Sequence, residues 1–203
     1  MAAEHSPARG ARKSDRTRES ILEAARITFA RKGFSGVTIR DITDLADVNR
    51  GGFYYYFADK TELFIELGTQ TYRQVLEVAE AFGQFGDPPS HDELEAWVKR
   101  YFEYLDRNGA FVIRSAEDMP TDPKFRAAVR RSHRRTAATL GAVIAKRSPS
   151  PVDVDPAATG LVMMAMLERS WLMVRHNEIA AMPRRAVMSA ATEMLWRSLS
   201  GAP

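Results

Sequence analysis

The sequence has no cysteine, so disulfides, thiolate metal sites and cysteine nucleophiles are excluded and a reducing compartment costs the fold nothing. Long apolar runs are missing too. The most hydrophobic stretch, Ala157 to Leu167, stops at Glu168-Arg169, well short of the roughly 20 residues that cross a bilayer, so no membrane span is expected. Met1 to Lys13 are small, polar and basic and contain no apolar segment that would serve as a secretion signal. They are expected to form a disordered basic arm, residues 1–13, on a cytoplasmic protein. The four histidines, His5, His91, His133 and His176, show no metal-ligand spacing. No P-loop, nucleophile elbow or dinucleotide glycine pattern occurs, which leaves a helical enzyme without a motif, and neither a metal nor a cofactor is expected.

What remains is a chain of 203 residues with 45% hydrophobic content, enough to bury a core of its own. Its net charge is +3, a value that permits contact with nucleic acid without demonstrating it. The distribution says more than the total. Arg9, Arg12, Lys13, Arg16 and Arg18 crowd the start against Asp15 alone, as in an arm or first helix lying near phosphates, or in a solubilising tail.

Apolar residues recur at helical spacing throughout. Ile21, Leu22, Ala25 and Phe29 mark a first helix from Asp15 to Lys32, followed by Gly33 where a helix often ends. Thr38 and Asp41 form a capping pattern before a short second helix whose inward stripe is Ile42, Leu45 and Ala46. Asn49 caps a third helix running to about Phe57, with Phe53 and Phe57 on one side and Arg50, Tyr54 and Tyr55 elsewhere. A fourth runs from Lys60 to Ala81 and stops in the breaker Gly83 to Pro89. Ser90 and Glu93 cap a helix that Asn108-Gly109 is expected to end, and a short segment follows over Phe111 to Ala116. Helices from about Pro123 to Lys146, from Asp155-Pro156 to His176 and from Pro183 to Leu199 complete the chain. Strand-like alternation is absent, so the class is all-α with about nine helices.

Residues Gly33 to Leu63 read GFSGVTIRDITDLADVNRGGFYYYFADKTEL. With the basic first helix before it, this segment resembles the tetracycline-repressor family of bacterial regulators. The match rests on a Gly-Phe-x-x-x-Thr entry, the apolar second helix, a Val-Asn-Arg-Gly turn, a Phe-Tyr-x-x-Phe helix and a Lys-x-Glu-Leu start to the next. The resemblance implies a helix-turn-helix DNA-binding domain over 14–60 and a helical effector-binding and dimerisation domain over 61–203. It also implies a homodimer on a palindromic double-stranded operator, and release of a repressor by a small apolar effector. Leu167-Glu168-Arg169 before a hydrophobic run is similar to the ethionamide-resistance-regulator branch of that family.

The residue chemistry fits a helix presented to the major groove, which needs donors outside and apolar anchors inside. Arg50, at the start of the third helix, can reach phosphate or guanine; its alternative is a solvated arginine. Gly51 and Gly52 each cost about 0.8 to 1.0 kcal/mol relative to alanine inside a helix, offset by close approach to DNA or reflecting a loosely formed helix tip. Tyr54, Tyr55 and Tyr56 lie about 100° apart around a helix, so they cannot all be core. By resemblance Tyr54 and Tyr56 look like backbone contacts and Tyr55 like a groove contact, although the family often has histidine where Tyr56 stands. Thr38 and Lys60, at helix N-termini, are expected to clamp phosphate. Asn49 is placed with this group, and Arg40 either reaches a guanine or is solvated.

Beyond this segment, Trp97, Tyr101, Tyr104, Phe111, Met164, Trp171 and Trp196 are candidate lining for an apolar effector, against the reading of ordinary core. Glu168 offers a polar contact there, or an ion pair with Arg169. The methionine-rich helix around Met163 to Met173 is expected to be buried on most sides, with one side on the core and another on a partner copy. The last two helices, including Met194 on the final one, are expected to pack together and form the dimer interface. Arg126, Arg130, Arg131, Arg134 and Arg135 make a basic helix that is either a solvated face or a second DNA face. A DNA-binding factor without an effector, or an activator, stays open as the alternative function.

Overall fold

A computed structural model describes residues 7–147, 154–176 and 182–200. Eight helices and no strand occur among the described residues: α1 (Pro7–Gly36), α2 (Ile39–Ala46), α3 (Arg50–Tyr56), α4 (Lys60–Phe82), α5 (His91–Glu117), α6 (Pro123–Arg147), α7 (Pro156–His176) and α8 (Arg184–Ser200). Residues 7–13, expected as an arm, are the first turns of α1. Pro7 suits a first helical position, and the Ala, Arg and Lys residues after it favour helix. Residues 1–6 of the expected arm lie outside the described residues.

The chain divides into two compact units, Met1–Gln70 with Ala110–Thr121, and Thr71–Gly109 with Asp122–Pro203. In the first, Ile21, Ala25, Phe29, Ile42, Phe53, Phe57, Leu63, Phe64 and Phe111 are buried. Phe29 meets Phe64 edge-on at 5.0 Å and Phe64 meets Phe111 at 5.3 Å, the offset geometry that aromatic quadrupoles favour. Leu45 departs from expectation: it is 49% exposed, and Thr43 is buried instead. Thr43 can turn inward because its hydroxyl donates to the Arg40 carbonyl at 3.1 Å, which removes the penalty of burying it.

Near its end α1 is kinked at Gly33, whose φ of 72° is the left-handed region glycine enters without strain. A Cβ there would fall on the Asp118 carboxylate. That carboxylate accepts bonds from the Ser35 amide at 3.0 Å and the Ser35 hydroxyl at 2.8 Å, contacts that hold it below its usual protonation range.

In the second unit the crossing of α6 and α7 depends on two glycines. A Cβ on Gly141 would land on the Pro156 carbonyl, and one on Gly160 on the Ala137 carbonyl, so the two backbones touch.

One helix fewer is seen than expected because Asn108-Gly109 does not end a helix; α5 passes through it. The Asn108 side-chain amide donates to Gln74 Oε1 at 2.9 Å and to the Tyr104 carbonyl at 3.2 Å. At Gly109 a Cβ would meet the Trp171 ring at 2.6 Å. The pair that reads as a stop is a seat for neighbouring side chains.

The apolar stretch of α7 is longer than expected. Pro156–Arg175 is long and apolar enough to cross a membrane by length and composition, a longer span than Ala157 to Leu167, and 28% of its window is buried. Met163, Met164, Leu167 and Trp171 face the core, while Leu161 and Val162 face outward. On α8 Leu195 is buried and Met194 is exposed.

Candidate nucleic-acid interface

Two caps set the geometry of α2 and α3. The Thr38 hydroxyl accepts from the Asp41 amide at 3.2 Å, and the Asp41 carboxylate accepts from the Thr38 amide at 2.9 Å, the reciprocal pairing of a capping box. Asp41 also takes a 2.7 Å bond from Lys32, the main reason its pKa falls to about 2. Asp47 ends α2 in the left-handed conformation with φ 54°, turning the chain toward Asn49. The Asn49 Oδ1 then accepts the Gly52 amide at 2.7 Å and starts α3.

Phe53 and Phe57 are buried under α3, whereas Tyr54 is 48% and Tyr55 77% exposed. Arg50 is exposed, with its guanidinium 3.5 Å from the Tyr54 hydroxyl and 6.0 Å from the centre of that ring. The helix therefore presents a cation and two phenols to solvent from an apolar base, a set of donors suited to phosphate and base edges. Asn49 and Gly51 are exposed beside them, and Gly52 is half-buried. Tyr56 is half-buried and shares a 3.0 Å hydrogen bond with Ser14 of α1.

Three further expected residues sit around this helix. Arg40 projects from α2 with its side chain 86% exposed, 3.4 Å from Asp44. Thr38 is exposed, but its hydroxyl is engaged with Asp41. Lys60 is half-buried: its ammonium donates to the Phe34 and Val37 carbonyls at 2.9 Å each and lies 4.7 Å from the centre of the Phe34 ring. It holds the corner between α1 and α2 in place. Sequence reasoning missed this role and also the Ser35–Asp118 contact, which joins residues 83 apart in the chain and has no local signal.

The candidate effector residues divide. Trp97, Tyr101, Tyr104, Met164 and Trp171 are buried in the second unit, and Glu168 is half-buried there. Trp97 lies 5.3 Å from Tyr101, which lies 6.1 Å from Tyr104. Phe111 stands apart from them in the aromatic core of the first unit. Trp196 is half-buried on α8, 6.0 Å from His91. The Arg169 side chain is exposed while Glu168 turns inward toward Tyr101. Burial raises the Glu168 carboxyl to about 7 although the Tyr101 hydroxyl pulls the other way.

Residues 21–67 match the family model for bacterial regulatory proteins of the tetR family. The chain is 30% identical over 112 residues to the HTH-type transcriptional repressor AcnR of Corynebacterium diphtheriae, a match covering 54% of this chain and 53% of that one. It is 35% identical over 102 residues to the HTH-type transcriptional repressor NicS of Pseudomonas putida, covering 50% and 48%. The chain thus spans about half the length of these curated relatives. Among solved structures, a TetR family transcriptional regulator, PfmR, from Thermus thermophilus superposes with a TM-score of 0.66 at 20% identity, covering 87% of this chain and 94% of that one. Reduced NemR of Escherichia coli gives 0.66 at 17% identity, covering 92% and 100%. These likenesses establish the all-helical fold.

Proposed function

We propose that this chain is a DNA-binding transcriptional repressor of the tetracycline-repressor family, acting in the cytoplasm as a homodimer and released from its operator by an apolar small molecule. The observation that carries the reading is α3: two phenylalanines seat it, and Arg50, Tyr54 and Tyr55 cover its outer side. The match of residues 21–67 to the family and the named repressors among the relatives support it.

In this reading the outer side of α3 enters the major groove. Arg50 reaches a guanine edge or phosphate, Tyr55 packs in the groove, and Tyr54 donates to the backbone. Tyr56 donates to phosphate while accepting from the Ser14 hydroxyl. Gly51 and Gly52 gain their reason here. The folded chain leaves ordinary room for a Cβ at both, 3.4 Å from Asn49 Oδ1, so the cost of two helical glycines is left for an outside surface to offset. Asn49 supports the helix tip, Arg40 reaches the flank of the groove, Thr38 offers its exposed edge to phosphate, and Lys60 acts through the corner it braces.

A symmetric operator needs two recognition helices about 34 Å apart, which a two-fold dimer supplies. The exposed Leu161 and Val162 of α7 and Met194 of α8 are the apolar patch that a partner copy would cover, in the isologous arrangement of a helical dimer. The effector would sit in the second unit among Trp97, Tyr101, Tyr104, Met164, Glu168 and Trp171, favouring a state whose two recognition helices no longer match the operator spacing.

Selection of bound fragments from genomic DNA tests the reading. It predicts an enriched sequence with two inverted half-sites one helical turn apart, and DNA recovered without any shared sequence would overturn it.

A further inference from the structure

Around the middle of α5 and α7 the polar atoms are almost all spoken for. The Trp97 indole donates to the Val78 carbonyl at 2.8 Å, and the Trp171 indole to Asp106 at 2.9 Å. The Asn108 amide is held by Gln74 and Tyr104. Tyr101 breaks this pattern. It is wholly buried, and its hydroxyl has no hydrogen-bond partner among the described residues. A buried hydroxyl without a partner has lost its water and gained nothing in return, which native structures rarely tolerate without a reason.

The carboxyl that acts on it is that of Glu168. Each perturbs the other's proton, although the Tyr101 hydroxyl makes no hydrogen bond of ordinary length and angle. No lysine, arginine or histidine contributes to the state of Glu168; burial and Tyr101 account for it. Arg169, the adjacent cation, is exposed. A carboxyl and a phenol thus stand side by side in an apolar setting with no positive charge to match them.

The surroundings suit an apolar body. Trp97, Tyr101 and Tyr104 recur at helical spacing along one face of α5, and Met164, Glu168 and Trp171 do the same on α7. Methionine beside aromatic rings makes a lining that repacks readily around different shapes.

We infer that Tyr101 and Glu168 form the polar end of the effector site and that the effector is an apolar amine bound as its cation. One ammonium N–H would meet the Glu168 carboxylate and another the Tyr101 oxygen, with the hydrocarbon body against Trp97, Met164 and Trp171. An alcohol could bond to both groups but would bring no positive charge to match the Glu168 carboxylate, and a carboxylate would add a second negative charge beside it. This inference rests on the reading that the second unit holds an effector.

The test is calorimetric titration of the full chain with matched probes of different bulk: phenethylamine against phenethyl alcohol, and adamantylamine against adamantanol. The amine of at least one pair should bind at least tenfold more tightly than its alcohol. Glu168→Gln should abolish that preference while alcohol binding persists, and Tyr101→Phe should weaken the amine severalfold. Equal affinity within both pairs overturns the cation assignment and leaves an effector site standing. Binding of no probe overturns the assignment too, and release of the operator by a broader set of apolar compounds then decides the effector reading by itself. Should Glu168→Gln not fold, the amine-to-alcohol comparison on the unaltered protein together with Tyr101→Phe decides the cation assignment.

Discussion

Glu168→Gln should make the protein more stable at alkaline pH and change little at acidic pH. Burial lifts the carboxyl from 4.5 to about 7, so the folded state holds this proton more tightly than the unfolded one. A group raised in this way leaves stability intact below its unfolded value and subtracts from it as pH climbs through the folded value. At about 1.4 kcal/mol for each tenfold difference in proton affinity, the loss above neutrality is about 3 kcal/mol. Glutamine has nearly the same shape and never ionises, so it avoids that loss. Urea unfolding at one fixed protein concentration, at about pH 5 and about pH 8.5, reads the difference directly. The variant should gain about 2–3 kcal/mol relative to the parent between those conditions. A difference that stays flat with pH, or a variant that loses stability at the alkaline end, refutes the placement of Glu168 in an apolar setting without a cation.

The remaining expectations concern packing, recognition and charge. Gly141→Ala should force α6 and α7 apart, because the added Cβ lands on the Pro156 carbonyl; thermal unfolding should show a loss of at least about 1–3 kcal/mol, and an unchanged midpoint would contradict the close crossing. Arg50→Ala should cost about 1–3 kcal/mol of discrimination between operator and random DNA in competition binding, and equal losses on both would remove Arg50 from the base contacts. Asp41, held at about 2 chiefly by Lys32, should stay ionised in an NMR titration until the pH falls near that value, and Lys32→Ala should raise it.

Local chemistry was legible in the sequence wherever the partner lay within a few residues. Thr38 with Asp41 and Asn49 with Gly52 are caps whose two halves are three residues apart, and the burial of Phe53 and Phe57 against the exposure of Tyr54 and Tyr55 follows from helical spacing alone. Distant partners were not legible. Asn108-Gly109 has the composition of a helix stop, but Gln74 and Trp171 turn it into a seat inside a longer helix. Lys60 has the position of a phosphate contact, and nothing local to it shows that its ammonium also donates to the Phe34 and Val37 carbonyls. Phe111 and Trp97 are alike in type, and only the folded chain sorts them into different cores. In each case the decisive neighbour is brought in by tertiary packing, which periodicity does not encode.

The absence of native cysteine makes one measurement direct. Tyr55→Cys carries the sole thiol, at an exposed site on α3, and can be labelled with an iron chelate that cleaves nearby DNA. Cleavage should fall within each half-site of the selected operator, and the same label at Arg131→Cys on α6 should give none of that pattern. Uncut DNA under the α3 label, or identical cleavage from both positions, would contradict the seating of α3 in the groove.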